Sequence, residues 1–300
     1  MTRALRWCTL AGITAGLLGL AVQASAATGW TVVTPPAGAA GTLTGSFALS
    51  DTDAWVVGYH GADPVALNWN GTAWSTVPTP APSGSTPNWA FESVAASSTS
   101  DAWAVGVQSS GTKIHNSLFE HWNGAAWSVV SGALPALRVS TDGPNDIWGV
   151  YRNDQVTHYN GTSWTSTTLS APGGTPVFQG VEALSPTDVW VAGSVGSGPV
   201  LEHFTGTSWQ VVTLPSSFSA YGLNAITAKS DSDLWVFSNT GSPGVPLLLA
   251  NWNGSSWTTS PSPLPANTLV GIGSAASSPS HVWLFGTNAS AGEPLILSHS

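Results

Sequence analysis

The chain has 300 residues, 42% hydrophobic and only 7% charged, and its 15 Asp and Glu outnumber 6 Lys and Arg for a formal net charge of −9. That apolar content excludes a disordered chain. The sparse basic residues exclude the clustered phosphate neutralisation that nucleic acid or an anionic membrane surface demands, so neither is expected as a partner.

The N-terminus reads as an export leader. Arg3 and Arg6 give a positive start, Leu10 to Val22 an apolar segment, and Ala24-Ser25-Ala26 a small-residue cleavage signal before Ala27. The expected division is a leader over residues 1–26 and one domain over 27–300, secreted, with no membrane span after cleavage because the apolar segment is short and Gly-rich. The one cysteine, Cys8, falls in the leader, so the exported chain is expected to hold together without disulfides.

Beyond the leader, Asp-x-Trp followed by an apolar run recurs at Asp53/Trp55, Asp101/Trp103, Asp146/Trp148, Asp188/Trp190 and Asp233/Trp235, with a variant at His281/Trp283. These tryptophans stand about 42 to 48 residues apart, a period that means stacked copies of one small unit. Turn residues precede each copy, as in Ser50-Asp51-Thr52 and Ser185-Pro186-Thr187, and the Asp is read as capping its own turn.

Between copies lies an aromatic, Asn-Gly, and then Trp: Trp69-Asn70-Gly71/Trp74, Trp122-Asn123-Gly124/Trp127, Tyr159-Asn160-Gly161/Trp164 and Trp252-Asn253-Gly254/Trp257, with Phe204-Thr205-Gly206/Trp209 degenerate. Asn-Gly between apolar runs predicts a two-residue hairpin with both turn positions at positive φ. The triplets at Asn70, Asn160 and Asn253 match glycosylation acceptors, but their recurrence in the hairpin accounts for them without glycans. An upstream strand, such as Phe91 to Ala96, makes four strands per repeat, the blade of a β-propeller.

The ends set the blade count. Trp30 to Val33 resembles an outermost strand, whereas Pro294 to His299 resembles a third strand after which the chain stops. The prediction is an all-β, six-bladed propeller of four-stranded antiparallel blades, with the N-terminal strand completing the C-terminal blade and leaving no exposed edge there.

His121, His158 and His203 share one repeat position and could be mistaken for a metal site, but equivalent strands of neighbouring blades are too far apart to share an ion. No metal and no cofactor are expected. The Asp ring is likewise spread one per blade, too dispersed for a paired-carboxylate hydrolase.

Long, variable segments fall on one face: residues 78–88, 107–116, 151–155, 216–221, 239–246 and 287–294. Variable loops on a rigid scaffold are where binding resides. Twelve residues before the motif Asp, at the mouth of the inner strand, stand Gly41, Trp89, Leu134, Pro176, Tyr221 and, counted from His281, Leu269. Three residues further in are Glu92, Gln179 and Asn224, and Arg138 lies one deeper. Trp89 and Tyr221 belong to opposite blades, so the expected site stacks sugar faces on them, with Glu92, Arg138, Gln179 and Asn224 supplying hydrogen bonds.

Asp101 to Gly106 with His121 to Trp127 resembles the Trp-rich repeats of exported bacterial β-propeller proteins, loosely akin to kelch, WD40-like and sialidase propellers. The resemblance covers residues 29–299 and implies a secreted or cell-surface location without implying a reaction. An arginine triad of the sialidase kind is lacking, since Arg138 and Arg152 are the only arginines past the leader, and a cysteine-derived copper cofactor has no cysteine to use. The resulting expectation is a monomeric binding module for a neutral glycan or cell-surface protein. The alternatives are a polysaccharide lyase or hydrolase using a loop group such as His60 or His115, and a protein-interaction scaffold.

Overall fold

The computed structural model describes residues 30–33, 42–61, 63–80, 88–110, 113–151, 153–238, 247–264, 270–278, 280–288 and 293–299. Blade 1 contains β2 (Thr42–Ser50), β3 (Asp53–His60), β4 (Asp63–Trp69) and β5 (Trp74–Val77), paired in that order. Blade 2 follows with β6 (Asn88–Ser98), β7 (Asp101–Ser110), β8 (Lys113–Trp122) and β9 (Trp127–Val129), and blade 3 with β10 (Arg138–Gly143), β11 (Asp146–Tyr151), β12 (Gln155–Tyr159) and β13 (Trp164–Thr168). Blade 4 has β14 (Val177–Ser185), β15 (Asp188–Val195), β16 (Gly198–Phe204) and β17 (Trp209–Val211), and blade 5 has β18 (Ala225–Ser230), β19 (Asp233–Ser238), β20 (Leu248–Trp252) and β21 (Trp257–Ser260).

Blade 6 takes β22 (Val270–Ser277), β23 (Val282–Asn288) and β24 (Glu293–His299) from the C-terminus and β1 (Trp30–Val33) from the other end. Trp30 lies opposite His299 and Val32 opposite Leu297 in antiparallel register. The inner strands β2, β6, β10, β14, β18 and β22 pack in succession round the ring, with β22 returning to β2. The chain is therefore an all-β, six-bladed propeller closed by strands from both ends.

Apolar packing runs between blades. Trp55, Val57, Phe91, Val94, Leu118 and Trp127 form one such cluster, in which Trp127 meets Trp55 edge-on with ring centroids 5.1 Å apart. A largely buried Trp withdraws about 150–250 Å² from water, about 4–6 kcal/mol before the entropy of ordering it. The repeat tryptophans thus join one blade to the next.

The motif Asp does not cap its own turn. That is done by the preceding serine: Ser50, Ser98, Ser185 and Ser230 accept the N–H of Thr52, Ser100, Thr187 and Ser232 at 3.2–3.3 Å. The Asp instead opens the second strand and receives a side chain from the third strand of its own blade. The donor is Asn68 for Asp53 at 3.0 Å and Asn251 for Asp233 at 2.7 Å, while His121, His158 and His203 pair with Asp101, Asp146 and Asp188 at 2.6, 2.5 and 2.7 Å. The motif Trp donates its indole N–H to the same carboxylate in blades 3, 4 and 5. A buried carboxylate needs such donors, and these supply them. The three histidines are thereby committed separately, each inside its own blade.

The Asn-Gly turn also differs from the two-residue hairpin expected. Trp69 pairs with Trp74, and Asn70 flanks the tip, donating its N–H to Ala73 O at 3.3 Å while its Oδ1 accepts from the N–H groups of Thr72 and Ala73 at 3.0 and 2.9 Å. Gly71 alone is required by backbone and by space: its φ is +88°, and a Cβ there would lie 2.8 Å from Thr52 Cγ2. The Asn-Gly turn therefore rests on the turn ahead of Asp-x-Trp in the same blade, which is why the two motifs recur together.

One further correction concerns the variable face. Most of residues 107–116 is not loop, because β7 and β8 extend to Ser110 and from Lys113. Residues 81–87, 111–112, 239–246 and 289–292 of the expected loops, together with Arg152 and the side chain of His115, lie outside the described residues.

Candidate functional site in the axial cavity

The glycine that ends the Asp-x-Trp run in blades 1, 2 and 4 shapes the inner strand beside it. A Cβ on Gly58, Gly106 or Gly193 would stand 2.0–2.1 Å from the carbonyl oxygen of Thr42, Ala90 or Val177, so the inner strand lies directly on the glycine. Just past each contact the ladder slips, between Leu43 and Gly45, Phe91 and Ser93, and Phe178 and Gly180. The extra residue of a bulge leaves the ladder and its side chain is re-aimed. Those residues are Thr44, Glu92 and Gln179.

The six inner strands enclose a cavity of about 320 Å³, with walls that include Ser46, Ser93, Arg138, Gln179, Glu182 and Asn224. Hydroxyls in this wall join blade to blade. Ser46 and Ser274 oxygens are 2.8 Å apart, Ser140 Oγ accepts the N–H of Ala183 at 2.9 Å, and Thr227 Oγ1 donates to Ser277 Oγ at 3.1 Å.

Of the six residues expected at the site, Arg138, Gln179 and Asn224 line this cavity. Glu92 reaches it indirectly: Arg138 Nη1 donates to Glu92 Oε2 at 3.2 Å, to Glu92 O at 3.1 Å and to Leu137 O at 2.8 Å. Both partners of this ion pair are well shielded, with side chains 15% and 14% exposed. The wall's arginine is therefore already neutralised. Gln179 makes no side-chain hydrogen bond among the described residues, and its amide is available to the lumen.

Trp89 departs from the expected role. It is half-buried against the cluster built by Trp55, Phe91 and Leu118 between blades 1 and 2, and it is not among the residues lining the axial cavity. Tyr221 sits in the connection ahead of β18, held by its N–H to Phe218 O at 2.9 Å, and is half-buried outside the cavity lining.

Register reveals a lumen group that the sequence reading missed. Opposite the motif Trp of each blade stand Phe47, Ala95, Ser140, Glu182, Thr227 and Ala276. Only Glu182 is ionisable, and it has no hydrogen-bond or ionic partner among the described residues. Enclosure by the surrounding blades pushes its carboxyl up to about 8, and what surface it keeps faces the lumen. Its signal in the sequence was a lone Glu in an inner strand otherwise small, hydroxylated or apolar at that layer.

At the opposite face, Asp142, Asp146 and His158 border a shallow recess of about 420 Å³. Burial pushes Asp142 up to about 6, helped by a hydrogen bond and repulsion from Asp146. Burial also works to raise Asp146, but hydrogen bonds from His158 and Asp142 outweigh it and hold that carboxyl below its ordinary range. His60, the alternative catalytic group, is exposed at the end of β3 opposite Asp63. Among the described residues no group of three His, Cys, Asp or Glu is placed to hold a metal ion, and no helix is long and apolar enough to cross a membrane.

No family model and no curated protein matches the sequence. Solved structures do match in fold. A fungal lectin from Aleuria aurantia, described as a six-bladed β-propeller, superposes with a TM-score of 0.58 at 16% identity, covering 86% of this chain and 91% of the lectin. A catalytically inactive virginiamycin B lyase from Staphylococcus aureus, solved with quinupristin, gives 0.56 at 15% identity over 88% of this chain and 84% of the lyase. YCF48 bound to a D1 peptide gives 0.51 at 17% identity over 92% and 84%. The same scaffold thus serves a lectin, a lyase and a peptide binder, and the likeness is one of fold.

Proposed function

We propose that the chain is a secreted, non-enzymatic, monomeric binding module that takes a neutral glycan in the axial cavity and at its mouth on the long-loop face. The observation that carries this reading is the lining: an axial space of about 320 Å³, open to solvent, where hydroxyls and amides stand among apolar side chains and the one lining arginine is already paired to Glu92. Concave sites with a few aimed polar groups suit small polar ligands, and hydroxyl-bearing sugars match amide and hydroxyl walls. Gln179 and Asn224 are the direct contacts in this reading, Arg138 a contact through the face it keeps toward the lumen, and Glu92 the group that fixes Arg138. Trp89 and Tyr221 shape the approach. The fold is shared with a lectin described by its recognition of fucose, which supports a saccharide as the ligand class.

The test is a glycan array read with the mature protein and with Gln179→Ala/Asn224→Ala. Retention of a neutral glycan by the parent and at least a tenfold loss in the variant are expected. Retention undiminished in the variant, or depolymerisation of the bound glycan, contradicts the reading, the second outcome pointing to the lyase or hydrolase alternative.

A further inference from the structure

Among the described residues, Glu182 is a carboxyl without a counter-charge, and the one arginine of the lumen wall is paired to Glu92. The charged groups on the strands packed against β14 are Arg138 and Asp142 on β10, Asp146 on β11, Asp188 on β15 and Lys229 on β18. Arg138 is bound to Glu92, and Asp146 and Asp188 are bound to His158 and His203. Lys229 acts on His299 and stands outside the lining, while Asp142 adds a second acidic group to the cavity wall. Among the described residues no basic side chain pairs with Glu182. The lumen therefore has an acidic excess, which selects for a ligand of positive charge.

From this imbalance we infer that the axial cavity takes a small polar ligand bearing an aliphatic ammonium, held by Glu182 as its counter-ion. The layer around Glu182 suits such a group. Ser140 and Thr227 stand at the same register in the two flanking blades and offer hydroxyl oxygens as acceptors. Phe47 occupies that register in the blade three places round the ring and borders the same lumen while packing against the clusters between blades 1, 2 and 3. A single carboxylate among neutral oxygens fits an ammonium with three donors better than a divalent ion, which would need several anionic ligands.

The inference rests on the reading of the cavity as the binding site and goes beyond the neutral glycan by giving the ligand a positive charge. The empty carboxyl holds its proton up to about pH 8, so pairing with an ammonium must release that proton. Ammonium affinity then rises about tenfold per pH unit from pH 6 until it levels near pH 8. A neutral ligand accepting a hydrogen bond from the protonated acid would show the opposite trend, weakening above pH 8.

The experiment is isothermal titration of the mature protein with 1-amino-1-deoxysorbitol, with sorbitol as its uncharged counterpart and butylamine as an amine without hydroxyls, at pH 6, 7 and 8 and in buffers of different ionisation enthalpy. The expected result is binding of the amino-alditol at least tenfold tighter than sorbitol at pH 8, tightening with pH and releasing close to one proton at pH 6 and about half a proton at pH 8. Glu182→Gln, which matches the protonated acid in shape and should fold, is expected to abolish the preference and flatten the pH profile; Thr227→Val should weaken binding but keep the proton release. Binding of sorbitol and neutral glycans with no gain for the amino-alditol overturns the inference and leaves the neutral-glycan reading standing. Binding of the amino-alditol or butylamine through Glu182, with no neutral glycan retained, supports the inference and overturns that reading. Binding by neither, or amine binding unaffected by Glu182→Gln, overturns the inference.

Discussion

The imidazole of His158 lies flat on the indole of Trp148, with centroids 3.9 Å apart and planes 10° from parallel, and both rings bond to the carboxylate of Asp146. His203 and Trp190 repeat the arrangement at 3.8 Å and 9° over Asp188. A ring fixed on both its face and its nitrogen is a structural strut. His158→Ala is accordingly expected to cost about 2 kcal/mol, the range for a hydrogen bond to a charged group. Because Asn68 and Asn251 perform the same task in blades 1 and 5, His158→Asn should recover most of the loss. Urea unfolding decides the matter, and an unchanged midpoint for the alanine variant would refute the strut.

Glu120 on β8 is fully buried, and neither of its carboxyl oxygens finds a partner. Burial pushes it from 4.5 up to about 7, and Glu202 on β16 is raised for the same reason. Below about pH 4.5 the acid is protonated in both folded and unfolded chains; from there to about 7 only the unfolded chain ionises, so stability falls as pH rises through this window. The corresponding residues of blades 1 and 6 are Leu67 and Leu297, both buried. Glu120→Leu should therefore raise stability by roughly 1–3 kcal/mol more at pH 7.5 than at pH 4, the difference coming from the ionisation that the folded chain resists. An equal gain at both pH values would rule out ionisation as the cause.

The motif glycines of blades 1, 2 and 4 admit no side chain because the bulged strand covers them. Gly193→Ala would place a methyl 2.1 Å from Val177 O and 2.7 Å from Phe178 Cα, both backbone atoms. A loss of about 3 kcal/mol is expected, the scale of overpacking in a filled interior. Gly61→Ala, where nothing lies within 4 Å, is strained only by its φ of +63° and should cost about 1 kcal/mol. Thermal unfolding of both variants checks the ranking, and equal losses would contradict the bulge contact.

At the seam between blades 6 and 1, the Asp51 carboxylate accepts hydrogen bonds from the hydroxyls of Ser278 and Ser280 and lies 3.4 Å from His281 Nδ1. Blade 6 lacks the motif Asp, and blade 1 contributes this carboxylate to its turn. The serine hydroxyls lower Asp51 from 3.8 to about 2. Its stabilisation is present above pH 3.8 and is lost as pH falls through about 2. Asp51→Asn should thus lower the melting temperature at neutral pH and flatten its dependence on pH between 4 and 2. Because the group is exposed, the effect should be a few degrees at most. Parallel pH profiles for parent and variant would show that the seam gains nothing from the charge.

Blade number and closure were legible because one repeat period ran through the whole chain and the two ends supplied complementary strands, Trp30–Val33 beside Glu293–His299. The cavity lining was legible in part, since a fixed offset from the Asp located Gln179 and Asn224. The same offset located Trp89, which packs against the cluster between blades and stands outside the cavity lining. It also passed over Glu182, because strand alternation alone does not say which residues of a bulged strand face the lumen. The Asp was misread as a turn cap because its partners, Asn68 or His158, lie 15 and 12 residues away across a strand pair.

The most direct measurement of whether the axial cavity is the ligand site is an amide chemical-shift titration of the isotopically labelled protein with the glycan retained on the array. Shifts should concentrate on Arg138–Thr141, Gln179–Glu182 and Asn224–Thr227, the three adjacent stretches of cavity wall that carry the nominated contacts. Shifts confined to the outer turns, such as Asn70–Ala73 and Asn253–Ser256, with the inner strands unmoved, would place recognition on the rim and contradict a site in the cavity.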